Sequence, residues 1–214
     1  MPENVKRDEP AQRGPGQART RLARRAVVAA ARALFLERGY AATTINAISK
    51  LSDVPPATVY RLFASKLGIL KALLDTSIGG DDQPVAVPDR PGVASIFGGT
   101  DPARLLAEAA GITTAINQRS NDVYRVLRSA AGSDVAAAEL LAEIHQQRDR
   151  GQGQIARTLA RSGSLRGGLQ VSDAADLIHA LMSPEMYQLL VIDRHWTPDR
   201  YRHWIAATLT QQLI

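Results

Sequence analysis

Apolar residues recur at three- and four-residue steps along most of the chain, which is the period of helices that bury one face. The first run covers residues 19–38, and Gly39 stands where a helix is expected to end. Thr44 then caps a short helix over 45–51, the residues 52–54 break it, and Pro56 opens a second short helix over 56–63. Two short helices around a tight turn are typical of a motif that lays its second helix in the major groove of DNA.

The rest of the chain is also predicted to be helical. A leucine-rich stripe after Lys66 ends at Gly79-Gly80, and a passage rich in Pro, Gly and Asp follows to about residue 100. Further helices are expected over 102–118, 121–131, 134–162, 173–193 and 198–214. The pattern therefore predicts an all-α fold of about nine helices with no strand.

These elements suggest an order of parts along the chain. We expect a disordered tail over 1–18, a helix-turn-helix DNA-binding domain over 19–78, a linker over 79–100, and a ligand-binding and dimerisation domain over 101–214.

The positive charge lies at one end of the chain. Residues 1–80 contain 13 Lys and Arg against 6 Asp and Glu, whereas residues 81–214 contain 13 against 15. Clustered basic residues favour a polyanionic partner such as DNA, although a merely solubilising surface would have the same charge.

Other compositional features exclude several classes of function. The chain has no cysteine, so disulfides and thiolate metal sites are excluded, and a reducing cytoplasm is the expected location. The apolar stretch from Ala26 to Ala31 is far too short for a membrane span, and we find no targeting segment. The four histidines form no metal-binding pair, and neither a nucleophile elbow nor a phosphate loop is present, so no enzyme, metal or cofactor is expected. A helical scaffold without DNA would explain the helices but not the basic segment.

The N-terminal region resembles the TetR family of transcriptional regulators. The resemblance lies in 33–44 (ALFLERGYAATT), in Ile48 and Val54, and in 57–66 (ATVYRLFASK), and it extends over about residues 20–76. It implies a DNA-binding regulator, ligand-responsive and repressing, that binds a palindromic double-stranded operator as a homodimer and responds to a small-molecule effector not identifiable from sequence.

The resemblance also implies roles for single residues. Thr44, Thr58, Tyr60 and Lys66 would contact phosphates, while Asn46, Pro56, Ala57 and Arg61 would face or border base edges. A half-buried aromatic remains the alternative for Tyr60, and a plain helix cap the alternative for Thr44. The arginines at the start of the first helix are expected to form a basic arm that reaches the DNA, or simply a solvated face; they are Arg19, Arg21, Arg24 and Arg25.

Two residues depart from the family pattern. Asp53 stands where the turn usually has glycine, and a left-handed backbone conformation there costs an L-residue more free energy than it costs glycine. The pair Pro55-Pro56 replaces the usual hydroxyl cap, which predicts a stiff start to the second short helix.

The C-terminal half offers candidates for two further surfaces. The last two helices carry more apolar residues than one domain edge needs, and they predict a dimer interface with a bend at Pro184; the residues are Leu177, Leu181, Tyr187, Leu190, Tyr201, Trp204 and Ile205. An ordinary core is the alternative. A ligand pocket between helices would be lined by Tyr124, His145, Arg148, His179 and Met182, each of which is otherwise a structural or solvent-facing residue.

Overall fold

The computed structural model describes residues 15–80, 93, 95–99 and 101–214. Within them the chain is helical and contains no strand, as the apolar periodicity predicted. The N-terminal helices are α1 (Pro15–Ala42), α2 (Ile45–Ser52), α3 (Pro56–Phe63) and α4 (Lys66–Gly79). A short 3₁₀ turn (Ser95–Gly98) precedes α5 (Pro102–Ala131), α6 (Val135–Arg161), α7 (Val171–Leu181), α8 (Pro184–Tyr187) and α9 (Pro198–Leu213), and α8 continues into a π-helical segment (Gln188–Asp193).

The first helix begins earlier than the sequence predicted. It starts at Pro15, so residues 15–18 are helical and do not belong to a disordered tail, while 1–14 lie outside the described residues. Gly39 has φ 77° and ψ 169°, which no helix accommodates, so the regular helix ends at Arg38 as expected. The proposed linker over 79–100 also falls mostly outside the described residues, which include only residues 79, 80, 93 and 95–99 of it.

Two predicted boundaries in the C-terminal half are wrong. The helices expected over 102–118 and 121–131 form one continuous helix, α5, because the stretch between them contains no proline or glycine and Ser120 bonds back to the carbonyl of Ile116. The helix expected over 173–193 stops at Leu181 and restarts at Pro184. Ser183 caps the new start by accepting a hydrogen bond from the amide of Met186, so the expected bend is a complete break.

The buried apolar residues form two clusters that do not follow the expected domain boundary. One unites α1 to α4 with Val123, Leu127 and Ala130 near the end of α5 and with the first half of α6. The other unites the start of α5 and the end of α6 with α7, α8 and α9. The helix-turn-helix region therefore shares its core with two helices from the other half of the chain.

A strained residue joins α3 to α4. Ala64 has φ 62° and ψ −39°, and such a positive φ is disfavoured for an L-residue. Ser65 N donates across it to Phe63 O at 2.7 Å. This tight turn leaves only two residues between the end of α3 and the start of α4.

Replacing Ala64 with glycine should remove that strain. We expect Ala64→Gly to raise the free energy of unfolding by about 0.5–1 kcal/mol, because glycine adopts a positive φ without steric cost but loses more entropy on folding. Urea unfolding is the measurement, and Ala33→Gly, at an exposed position within α1, is the control, which should lower stability by a similar amount. A less stable Ala64→Gly protein would show that the turn is not strained.

Candidate nucleic-acid interface and a polar cluster between helices

The turn between α2 and α3 is held by backbone and hydroxyl contacts. The hydroxyl of Ser49 donates to Val54 O at 2.7 Å, and Val54 N donates to Ser49 O at 3.3 Å. Asp53 takes up the left-handed conformation (φ 54°, ψ 32°) for which glycine was expected. The predicted conformation is therefore confirmed, and the aspartate tolerates it because αL costs Asp less than most residues.

The start of α3 is fixed by its two prolines. Pro55 is extended (φ −54°, ψ 142°), Pro56 occupies the first helical position, and no side chain caps this end. Thr58 N and Val59 N both donate to Pro55 O, at 2.9 and 3.0 Å, so a carbonyl replaces the missing hydroxyl cap.

The two short helices each bury one face and expose the other. Val59 and Phe63 on α3, and Ile48 on α2, point into the core. The residues that the resemblance assigned to bases lie on the outer face; Asn46, Pro56, Ala57 and Arg61 are all exposed. The helix-turn-helix therefore presents one continuous surface to solvent.

The predicted phosphate contacts Tyr60 and Thr44 also lie on this surface. Tyr60 is 53% exposed, so its ring is half buried, as the alternative interpretation held, and the other half of its surface is accessible to DNA. Thr44 Oγ1 accepts a hydrogen bond from Ala47 N at 3.1 Å and caps α2, while the hydroxyl proton stays available to a phosphate oxygen. Thr58 is partly exposed. The cap interpretation of Thr44 is thus correct without excluding a DNA contact.

Lys66 makes contacts that the sequence did not predict. Its ammonium donates to the carbonyls of Tyr40 at 2.7 Å, Thr43 at 2.9 Å and Ala41 at 3.4 Å, and it lies 4.2 Å from the centre of the Tyr40 ring. Burial lowers the pKa of Lys66, and the carboxylate of Asp134 partly offsets that effect. The ammonium therefore braces the loop after α1, and its contact with a phosphate stays a prediction.

The N-terminal arginines extend from a helix. Arg19, Arg21, Arg24 and Arg25 are exposed within α1, so they lie on a helical face, as the alternative of a solvated face held. Arg24 donates to Leu62 O at 3.0 Å and lies 4.6 Å from the centre of the Phe63 ring. It therefore joins α1 to the end of α3.

Sequence reasoning missed a residue that sets the crossing of α3 and α4. A Cβ on Gly68 would come within 2.0 Å of the carbonyl oxygen of Phe63, so only glycine permits this approach. A glycine in the first turn of an otherwise leucine-rich helix was the available signal.

The two halves of the molecule are connected by polar contacts to α4. Arg119 on α5 donates to the carbonyls of Ser77 at 3.1 Å and Ile78 at 3.0 Å, at the end of α4. Asp122, nearly one turn further along α5, pairs with Arg32 on α1. Lys71 on α4 pairs with Glu143 on α6 at 2.9 Å.

Two of the predicted ligand residues belong to a partly buried polar cluster. The hydroxyl of Tyr124 on α5 lies 2.9 Å from Nε2 of His145 on α6 and donates to Oε1 of Glu185 on α8 at 2.9 Å. Since the phenol has one proton and the carboxylate only accepts, Nε2–H of His145 donates to the phenol oxygen. Burial and Glu185 raise the pKa of Tyr124, while burial and the nearby Arg148 lower the pKa of His145.

Two of the remaining ligand candidates, Arg148 and His179, adjoin this cluster. Arg148 on α6 donates to His179 O near the end of α7, at 3.3 Å, and Nδ1 of His179 lies 2.8 Å from Asp149. Met182 is buried in the break between α7 and α8. Grooves of about 270 Å³ beside Leu67 and Glu143 and about 240 Å³ beside Gln154 and Val171 are lined by none of the five candidates.

The predicted dimer residues divide into two groups. Tyr187, Tyr201 and Ile205 are 3%, 0% and 0% exposed within the single chain, so they belong to its own core and are not available to a partner. Leu177, Leu181, Leu190 and Trp204 are partly exposed, and they stay predicted interface residues. Leu189 and Ile192, which belong to the same apolar pattern, are 50% and 44% exposed.

Among the described residues, no His, Cys, Asp or Glu group has the arrangement of a metal site. Over the same part of the chain, no helix has the length and apolar character needed to cross a membrane.

An exposed recognition face on a helix-turn-helix, set on a larger helical body, defines a DNA-binding regulator. Residues 27–73 match the model for "Bacterial regulatory proteins, tetR family". Over these residues the chain has the DNA-binding domain of the TetR family.

Individual relatives agree with this assignment. The chain is 24% identical over 178 residues to the uncharacterised HTH-type transcriptional regulator YdeS of Bacillus subtilis, with 82% of each sequence covered. NalD of Pseudomonas aeruginosa, the secondary repressor of the MexAB-OprM multidrug efflux pump, has a similar fold, with a TM-score of 0.70, 19% identity, and 91% of this chain and 98% of that chain covered. FadR of Bacillus subtilis, solved with stearoyl-CoA, gives a TM-score of 0.69 at 19% identity, with 87% and 97% covered.

Removing the Lys66 brace should affect folding. We expect Lys66→Ala to lower the free energy of unfolding by about 1–3 kcal/mol, because three carbonyls lose a charged donor at a partly buried position. Urea unfolding tests this, with Lys50→Ala, an exposed lysine on α2, as the control that changes stability by less than about 0.5 kcal/mol. Unchanged stability of Lys66→Ala combined with weaker DNA binding would favour the phosphate role.

Proposed function

We propose that this protein is a ligand-responsive repressor that binds a palindromic operator as a homodimer. The exposed face of α2 and α3 supports the first part, because Asn46 and Arg61 are exposed where side chains reach base edges in the major groove. Thr44 and Tyr60 flank that face with hydroxyls suited to phosphate oxygens. Regulation of transcription, with no catalysis of its own, is the role that this surface fits.

A tyrosine substitution tests the DNA-binding surface. We expect Tyr60→Phe to weaken binding to operator and to scrambled DNA alike, by about three- to tenfold, because one hydroxyl contact to a phosphate is lost while the exposed ring needs no partner for folding. Fluorescence anisotropy with DNA from upstream of the protein's own gene is the measurement, at fixed salt because phosphate binding is salt-dependent. A changed base preference with unchanged overall affinity would contradict the phosphate assignment.

The dimer is proposed from unburied apolar residues on α7, the π-helical segment and α9. One helix-turn-helix contacts a single half-site, whereas two-fold pairing presents two of them to a palindrome. Leu189 and Ile192 are large, apolar and about half exposed, and the partly exposed Leu177, Leu181, Leu190 and Trp204 lie on the same three elements. A homodimer interface of the apolar kind would cover such residues.

A charge placed at Leu189 should separate the two subunits. We expect Leu189→Glu to weaken dimerisation by roughly 100-fold, because an unpaired carboxylate would be buried on association. Sedimentation velocity across a concentration series measures this, and Val135→Glu, at a position 79% exposed on α6, is the matched control. This test is cleaner than Trp204→Arg, since Trp204 packs on Trp196 and Tyr201 within the same chain, with ring centres 5.8 and 6.4 Å apart. Leu189→Glu dimerising like the native chain would exclude this surface.

The response to ligand is proposed to pass through α4. An effector can favour a conformation in which the two helix-turn-helix domains of the dimer do not span the half-sites. It then weakens DNA binding by the free energy of its own preference for that conformation, typically ~1–3 kcal/mol. Two contacts connect the DNA-binding domain to α5: Arg119 bonds to the end of α4, and Arg32 pairs with Asp122. These contacts support a path that does not depend on the segment between α4 and α5.

A further inference from the structure

Arg148 lacks a counterion in its partly buried position. Its one hydrogen bond is the contact of 3.3 Å with His179 O, and among the described residues no carboxylate lies within ion-pair distance of it. The nearby carboxylates have other partners, since Glu185 accepts from Tyr124 and Arg128, and Asp149 lies against His179. Burial lowers the pKa of Arg148, and the charges of the nearby Glu185 and Asp149 only partly offset that effect.

A second polar group with an unused donor lies on the neighbouring helix. Asn117 on α5 is 3% exposed, and its amide lies against the Tyr201 hydroxyl, which leaves at least one of its two N–H groups without an acceptor. The amide lies beside the hydroxyl of Tyr201, which donates to Leu181 O at 3.1 Å and interacts electrostatically with Arg148. A buried donor of this kind costs free energy in the absence of an acceptor.

The helix beside these two groups is interrupted, and an apolar side chain lies at the interruption. Met182, 1% exposed, lies in the break between α7 and α8, and Asn121 on α5 donates to Pro184 O at 2.8 Å, just beyond that break. The π-helical segment follows α8 directly in sequence, and such segments are frequent at functional sites. A methionine is the side chain best able to repack around an incoming group.

We propose that Arg148 and Asn117 form the anchor of the effector site, and that the effector is an apolar molecule with a carboxylate group. The guanidinium supplies a planar pair of donors that matches a carboxylate, and the Asn117 amide supplies a further donor. The hydrocarbon part of the effector packs against Met182 in place of some of that side chain's present neighbours. This inference rests on the proposed function for its regulatory meaning, but ligand binding itself is independent of DNA.

Ligand binding at this site can be followed by tryptophan fluorescence. The chain has two tryptophans, and Trp204 packs beside Tyr201, so its emission responds to changes around that tyrosine. Octanoate and benzoate are the probes, and octanamide and benzamide are the neutral controls of the same shape. We expect at least one carboxylate to bind at least tenfold more tightly than its amide, measured by tryptophan fluorescence of the full chain without DNA.

Substitutions on α6 separate an anchor from a structural residue. Arg148→Gln should abolish the preference for carboxylate over amide, a loss of roughly 10- to 100-fold, while Arg148→Lys should keep part of it. Arg150→Gln, the same change at an exposed position two residues away, should leave it intact. Without ligand, Arg148→Gln should melt at the same temperature as the native chain or higher, because an unpaired cation is removed.

Three results would overturn the proposal. They are equal binding of carboxylate and amide, no binding of either carboxylate at millimolar concentration, or a preference that survives Arg148→Gln. A lower melting temperature of Arg148→Gln without any carboxylate binding would show that Arg148 only caps the end of α7. Carboxylate binding that leaves operator affinity unchanged would keep the anchor and contradict the ligand-responsive part of the proposed function.

Discussion

Residues 119–124 of α5 contact both halves of the molecule within less than two turns. Arg119 holds the last carbonyls of α4, and Asp122 pairs with Arg32 on α1. On the other side of the same stretch, Asn121 holds the carbonyl of Pro184, and Tyr124 binds Glu185 and His145. A helix is stiff over this length, so a displacement at α8 and a displacement at α4 are not independent.

The continuity of α5 is what this arrangement requires. The sequence suggested two helices meeting near residue 119, and such a joint would have allowed the two ends to move separately. The uninterrupted hydrogen bonding through Ser120 and Asn121 removes the joint. The shared apolar cluster, which includes Val123 and Leu127 together with α1 and α4, adds the same constraint from the core.

Local patterns predicted the helices well, because apolar period, caps and prolines act within a few residues. Thr44, Asp53 and the proline pair were read correctly for this reason. Lys66 and Tyr201 have contacts that the sequence did not predict, because their partners are distant in sequence. The carbonyls around the Lys66 ammonium lie 23 to 26 residues away, and Tyr201 is buried by helices from across the second cluster. The polar cluster at Tyr124 was located by residue type alone, and its connection to Glu185 needed the fold.

Gly68 has a consequence for how this chain varies under selection. Most surface positions of a recognition domain accept substitutions, and altered operator preference arises from them one residue at a time. At residue 68 a single added methyl group would meet a backbone oxygen, so the carbonyl of Phe63 would have to move. The angle between α3 and α4 is thus fixed by main-chain atoms. Substitutions of base-contacting side chains therefore leave this angle unchanged.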